Sequence, residues 1–337
     1  MGCCLTFRPA AVLLSLAVAT KLNTSSAWND ETLRAFPPEK RYLVAVSGGR
    51  DSMALLHWLA SRGYQRLIVC HLDHQLRGRT AQADARFVQR ATQASGLDVE
   101  LGSTDVPKLA AATKQSVEVA SRTARYHFFA AVARRRRCRT IFLGHHADDQ
   151  VETFLINLFR GAGMQGLRAM QTLSRRTINN VELTIVRPLL SVSRAEIDSY
   201  IEAHAIRFRE DASNKTLTPL RNRLRHRIIP MIEKEFGRAI HSPIRRAATI
   251  ATAEDAMLDA MLPPFSAALR VKKLLALPLA LQRRMLAKWL QGSAVSDIGF
   301  DVVEEVRSLL DVSGGPAKVN LPGDRHARRR AGELFIE

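Results

Sequence analysis

The sequence predicts an α/β protein: a doubly wound, mainly parallel sheet with a second, mainly helical domain after it. Three observations carry that prediction. From Arg41 onward, short unbroken apolar runs alternate with helical stretches, the pattern of strands buried on both faces of a parallel sheet. Strand signals stop near Pro219, and most of the chain beyond that point has helical character. A chain of 337 residues is long enough for two such domains, each with its own core.

The first domain opens with a strand over 42–46 and a helix over 52–61, then a strand over 67–72 and a helix over 81–95. A weaker strand near 99–101 precedes a helix over 116–135. A strand over 140–143 runs into a helix over 147–159, and a strand over 183–186 with a helix over 194–204 extends the unit. In the second domain the spacing predicts helices over 220–236, 244–261, 279–290 and 302–310, with Pro263-Pro264 as a break. The last 25 residues, through Gly314-Gly315-Pro316 and Leu321-Pro322-Gly323, read as short extended pieces. The expected division is an N-terminal extension (1–38), an α/β domain (39–218) and a mainly helical domain (219–337).

Composition narrows the function. The formal charge is +18, and 40 of the 50 basic residues are Arg. A surface this basic suits a polyanionic partner, and guanidinium groups suit bidentate phosphate contact. At 46% hydrophobic the chain is neither disordered nor fibrous. Cys3, Cys4, Cys70 and Cys138 form no C-x-x-C pair, which argues against a disulfide framework and against a cysteine-rich metal site. The run Arg134 to Arg137 falls at a helix end, where cations are favoured.

The most informative segment is Ser47-Gly48-Gly49-Arg50-Asp51-Ser52, set between a buried strand and a helix. The glycines allow a tight turn and close ligand approach, and unpaired N–H groups at the helix start face an anion. Ser47 and Ser52 add hydroxyl donors. Asp51 beside phosphates makes sense if it holds a divalent cation such as Mg²⁺. Neither a G-x-x-x-x-G-K-[ST] nor a G-x-G-x-x-G pattern is present.

Two more clusters fall where strands end, the place ligands gather in open parallel sheets, and a third lies on a helix. His71, Asp73 and His74 come after the second strand. Arg122 and Arg125 lie one turn apart on a helix, with Tyr126 and Phe129 read as core. His145, Asp148, Asp149 and Glu152 come after the strand over 140–143. His145, Asp149 and Glu152, spaced i, i+4, i+7, are expected on one helix face, with Asp148 as a candidate cap. A metal site and an amine-binding site are both compatible with that spacing. Further along come Arg160 in a glycine-rich loop, Arg187-Pro188, Arg209 through Asn214, and Arg221-Asn222-Arg223 with Arg225.

The phosphate loop resembles that of the N-type ATP pyrophosphatases (the PP-loop superfamily), and the later segments are similar to those of the tRNA(Ile)-lysidine synthetases. The resemblance is strong over roughly residues 40 to 235. It implies a Rossmann-like PP-loop domain that adenylates a substrate oxygen, with ATP and Mg²⁺ bound at Ser47, Gly48, Gly49, Arg50, Asp51, Ser52, His71 and Asp73. It also implies that Asp149 and Glu152 hold the amine of L-lysine, that His145 helps manage the released proton, and that Arg125 contacts ATP or the target nucleotide. Arg122, Arg160, Arg209, Arg221 and Asn222 become candidate tRNA contacts, and the helical domain becomes a grip on tRNA(Ile) bearing a CAU anticodon.

Two alternatives are a tRNA thiolase of the same superfamily, disfavoured by the isolated cysteines, and a non-catalytic RNA-binding protein, disfavoured by the intact loop. GMP and asparagine synthetases share the loop but need an amidotransferase region, for which the sequence shows no candidate. A homodimer is a candidate assembly, and cytoplasmic work without stable membrane association is expected. Residues 1 to 27 hold no acid; Arg8, the apolar run Ala10 to Ala19 and Ser25-Ser26-Ala27 outline a signal peptide. An extended start without targeting function fits the ATP-dependent character of the rest better.

Overall fold

The computed structural model describes residues 28, 30–76, 79–210, 220–264 and 266–337. The signal-like leader, Arg77-Gly78 and the Asp211 to Asn214 part of the arginine-rich motif lie outside the described residues. The elements run α1 (Asp30–Arg34), β1 (Tyr42–Ala45), α2 (Arg50–Ser61), β2 (Leu67–Asp73), α3 (Arg79–Ala94), β3 (Asp98–Ser103), α4 (Val106–Thr113), α5 (Val117–Arg136), β4 (Thr140–Phe142) and α6 (Ala147–Phe159). Next come α7 (Met164–Leu167), β5 (Leu173–Ile178), β6 (Val181–Val186), α8 (Arg194–Ala203), α9 (Leu220–Arg223), α10 (Ile229–Phe236) and α11 (His241–Ala260). The chain ends with β7 (Leu269–Arg270), α12 (Val271–Leu275), α13 (Leu279–Gly292), α14 (Phe300–Ser308), β8 (Lys318–Leu321), β9 (Arg325–Arg330) and β10 (Glu333–Ile336).

Six strands form one sheet in the order β3-β2-β1-β4-β6-β5, with every pairing parallel except β5 with β6. Alternation along the strands explains the double winding, because successive side chains face opposite ways. Val44, Val69 and Phe142 pack into one apolar cluster with Trp58 and Leu59 of α2 and Ile197 of α8. Leu43, Ile68 and Ile141 face the other cluster, with Phe129 and Val132 of α5. Both faces are covered, so the strands read as continuous apolar runs.

Two elements escape the periodicity. β5 is an edge strand of sequence LSRRTI with mostly exposed side chains, so it lacks an apolar signature. It pairs with β6 through Asn179-Asn180, both at positive φ (49° and 60°), the geometry of a type I′ hairpin turn. α4 is short and is capped by Asp105, whose side chain accepts from the Lys108 amide. The single helix expected over 220–236 is instead α9, a π-helical stretch over Leu224–Ile228, and α10, with Pro230 at the start of the last. Proline lacks the N–H that a continuous ladder needs there.

By compactness one unit runs to Glu152 and resumes over Met170–Ile240, while Thr153–Ala169 joins His241–Glu337 in a second. In the second unit α13 and α14 cover one face of an antiparallel sheet ordered β7-β10-β9-β8. The extended pieces expected near the end of the sequence form three of its strands. Trp289 and Leu286 anchor its core, and the Trp289 indole donates to the Ala267 carbonyl (2.7 Å). Buried Asp255 accepts from Arg284 (2.6 Å) and pairs with Arg168 (3.0 Å), so its charge is compensated. No helix among the described residues is long and apolar enough to cross a membrane.

Candidate active site

β1 pairs with β2 on one side and β4 on the other, so the strand order reverses at β1. The crevice beyond the carboxyl ends of β1 and β4 is therefore the topological switch point, where doubly wound sheets bind ligands. The sequence delivers the phosphate loop to the end of β1 and the His145–Glu152 cluster to the end of β4.

The loop supports itself. Ser52 Oγ accepts from the Ser47 amide (3.2 Å), lies 3.2 Å from Ser47 Oγ and donates to the Gly49 carbonyl (2.9 Å), while Ser47 Oγ accepts from the Gly49 amide (3.2 Å). Gly48 adopts φ +87°, a conformation that L side chains rarely tolerate. Gly49 caps α2 without a side-chain bond, which leaves first-turn amides for an anion. His71 is buried, and its Nδ1 lies 2.9 Å from the Val46 carbonyl. That contact makes it an anchor between β2 and the start of the loop. Asp73 accepts the Gln75 amide (2.7 Å), and Arg209 donates its own amide to the Gly48 carbonyl (2.9 Å) while its guanidinium pairs with Asp84.

Two loop side chains are engaged elsewhere than the phosphate position. Arg50 bonds Asp198 of α8 (2.7 Å) and stacks over Phe208 (4.8 Å). Asp51 Oδ1 accepts from Arg194 (2.7 Å), and its Oδ2 lies 3.8 Å from His146 Nε2.

The acidic cluster differs in one respect from the expectation of a shared helix face. α6 begins at Ala147, so His145 and His146 sit in the strand-to-helix turn, and only Asp149 and Glu152 share a helical face. Helical spacing does not govern His145 because the turn precedes the first helical residue. Asp149 Oδ2 accepts the His146 amide (3.0 Å), and Asp148 Oδ1 accepts the Arg194 amide at the start of α8 (3.2 Å).

Glu152 is 1% exposed; its Oε1 accepts from Arg225 (2.6 Å), while its Oε2 has no hydrogen-bond partner among the described residues. Arg225, in the π-helical stretch, also bonds Asp149 Oδ1 (3.3 Å). Arg221 approaches Glu152 Oε2 at 3.9 Å and Glu118 at 3.5 Å, and Asn222 is next to it on α9. Burial pushes the Glu152 carboxyl above the usual carboxylate range, against the pull of Arg225. Burial acts on Asp149 in the same sense, but His146, His145 and Arg225 overcome it and hold that carboxyl low.

The two histidines diverge as well. Burial drops His145 to about 3, and its Nδ1 is without a partner among the described residues. His146 is 2% exposed, yet Asp148, Asp149 and Asp51 outweigh burial and raise it. The Asp148 amide donates to His146 Nδ1 (3.3 Å), and Nε2 lies 3.8 Å from Asp51 and 3.7 Å from Asp149. His146 thus ties the loop to the acidic pair, a role its sequence position alone does not signal.

Gly144 is silent in the sequence for the same reason. A Cβ there would meet the Asp51 carbonyl oxygen at 3.1 Å, so a larger residue would require the start of α2 to give by a few tenths of an ångström. Arg125 and Arg122 project from α5 on its exposed side. Arg160 belongs to the second compact unit and is exposed. Cys70 and Cys138 are core thiols whose ionisation is pushed up by burial, so neither is poised as a nucleophile; Cys3 and Cys4 lie outside the described residues. Among the described residues no three His, Cys, Asp or Glu side chains gather as a metal site.

A family model described as a PP-loop domain matches residues 19–232, and one described as a TilS substrate binding domain matches residues 269–335. The chain is 34% identical over 286 residues to the tRNA(Ile)-lysidine synthase of Chlorobaculum tepidum, covering 81% of this chain and 84% of that protein. The chain belongs to the tRNA(Ile)-lysidine synthase family. It is 35% identical over 314 residues to the Geobacter sulfurreducens member, spanning 89% of its own length and 65% of that relative's. Among solved structures, the U34-tRNA thiolase NcsA from Methanococcus maripaludis shares the fold at TM-score 0.50 and 15% identity, covering 65% of this chain and 76% of that one.

Proposed function

We propose that this chain ligates L-lysine to C2 of the wobble cytidine of tRNA(Ile) bearing a CAU anticodon, as a cytoplasmic ATP-dependent ligase. The observation that carries the reading is the juxtaposition at His146, whose Nε2 lies within 3.8 Å of both Asp51 of the phosphate loop and Asp149 of the acidic pair. A site for an activated phosphate and a site for an amine adjoin across one imidazole.

The reaction has two steps. The cytidine O2 attacks the α-phosphorus of ATP, the bond to the β-phosphate oxygen breaks, and pyrophosphate leaves. Lysine's ε-amine then attacks C2, the C2–O2 bond breaks, and AMP departs with that oxygen. First-turn amides of α2 and the Ser47 and Ser52 hydroxyls supply fixed donors where phosphate charge develops. Asp51, the carboxylate at the loop, would hold a magnesium ion brought with ATP, which would neutralise charge developing on the phosphates. Glu152 Oε2, which has no hydrogen bond among the described residues, accepts the ammonium, with Asp149 beside it. His145 stays neutral near pH 7, with its Nδ1 free among the described residues to receive a hydrogen bond from the substrate. Its low basicity makes Glu152, with its raised value, the better acceptor for the released proton.

The test is pyrophosphate release and incorporation of radiolabelled lysine, measured with tRNA(Ile) bearing CAU and with and without ATP. ATP- and tRNA-dependent labelling is the expected result. Pyrophosphate release that never leads to lysine incorporation would move the assignment to another nucleophile. Absence of ATP binding would end the enzymatic reading.

A further inference from the structure

Outside the residues used above, a group of arginines gathers on one aromatic ring. Tyr126 of α5 is 5% exposed, and two guanidinium groups lie over its ring: Arg122 at 5.3 Å and Arg176 of β5 at 4.8 Å from the centroid. A third, Arg187 just beyond β6, is also 5% exposed and hydrogen-bonds the Tyr126 side chain. Its Nη1 donates to the Gln171 carbonyl (2.7 Å) and Ser174 Oγ (3.0 Å), while its buried Nε has no partner among the described residues. Burial, with Arg122 and Arg176 adding to it, holds Arg187 below the usual arginine range.

Among the described residues no carboxylate lies in ion-pair range of these three side chains, whereas Arg50, Arg194, Arg209 and Arg225 of the same unit each have one. Like charges packed together without a counter-ion are unfavourable, and the orphaned Nε adds the cost of an unmade hydrogen bond. An anion with several oxygens relieves both. The group is near enough to the candidate active site for Arg187 and Arg125 both to act electrostatically on His145, and for Arg122 to act on Arg125. It is built on α5, β5 and β6, whereas the triphosphate donors are built on α2.

We propose that Arg122, Arg176 and Arg187, gathered on Tyr126, bind an RNA phosphodiester next to the reacting cytidine and so fix the register of the anticodon loop. This rests on the tRNA reading above and names which backbone-holding residues that reading requires. The planar guanidinium stacked on an aromatic ring is pre-ordered, so little freedom is lost when the phosphate arrives.

The experiment uses the full-length chain and an anticodon stem-loop RNA with CAU, titrated across a range of salt. Arg176→Gln is expected to weaken RNA binding roughly tenfold, in line with loss of a charge-assisted hydrogen bond. The slope of log affinity against log salt should fall by about 0.7, the value for one phosphate contact on a single strand. MgATP affinity should not change, and Arg176→Lys should restore the slope. Arg122→Gln should behave alike. Loss of MgATP affinity with RNA binding intact would assign the arginines to the triphosphate instead. Unchanged RNA affinity and slope in both variants, with wild type binding normally, would reduce the group to a packing feature. If wild type itself fails to bind this RNA, the tRNA reading falls and this site falls with it.

Discussion

The serine hydroxyls of the phosphate loop find their partners within five residues of chain, whereas the carboxylates of the acidic pair share a guanidinium 73 and 76 residues away. The loop presents neutral donors that are already ordered, so an arriving anion meets a finished surface. The pair presents two buried carboxylates, and Arg225 bonds both; in the proposed reading an amine competes for them. Local construction makes the first site tolerant of single losses. Long-range construction makes the second brittle, because removing one partner strands the other.

The largest test of that contrast is Glu152→Gln. It keeps the shape but removes the charge that Arg225 bonds and that the proposed amine would meet, so lysine incorporation should fall roughly 100-fold, as about 3 kcal/mol of buried pairing is lost. Pyrophosphate release measured without lysine should change far less. Equal loss in both assays would show that the two sites are one unit and not two.

Gly144→Ala comes next. The added methyl meets backbone of Asp51 within 3.2 Å, so the start of α2 has to shift. Overpacking of this kind costs about 1–3 kcal/mol, and the expected outcome is a raised KM for ATP with a lowered Tm. Ser52→Ala is smaller. It removes one hydroxyl from a loop that retains its amides, and a loss of about 1 kcal/mol predicts several-fold weaker ATP binding by calorimetry.

The smallest effect is on pH. His57, on the helix that the loop begins, lies 2.9 Å from the Tyr200 hydroxyl and is lowered to about 4, first by burial and then by His204. Its folded value lies below its unfolded one, so the unfolded chain binds the extra proton. Stability is therefore full above pH 6.5 and declines as pH falls toward about 4. Urea midpoints read by tryptophan fluorescence should drop between pH 7 and pH 5, and His57→Gln should flatten that slope.

Legibility in the sequence respects the same divide. Ser47 to Ser52 can be read because a phosphate loop is contiguous, and Asp149 with Glu152 because one helix turn joins them. Arg194, Arg225, His146 and Gly144 owe their roles to which strands lie side by side, and strand order is not written in any local pattern. Helices α2, α5 and α6 lie close to their expected bounds because caps and apolar faces are local. β5 is invisible because an edge strand needs no apolar face, and the helix over 220–236 reads as continuous because Pro230 alone does not disclose a π-helical stretch. The antiparallel sheet of the second unit surfaces only as extended pieces, since pairing among four short strands is a long-range property.

The reversed strand β5 has a further effect. Sheets whose outermost strand offers bare amides can recruit a strand from another molecule, and a nascent chain leaving the ribosome is most exposed to that accident. Here the outermost strand carries Arg175 and Arg176 side by side, and two such rims repel each other. Arg176, proposed above to hold an RNA phosphate, thus also places charge on this edge. A variant that loses Arg176 should be watched for turbidity as well as for binding.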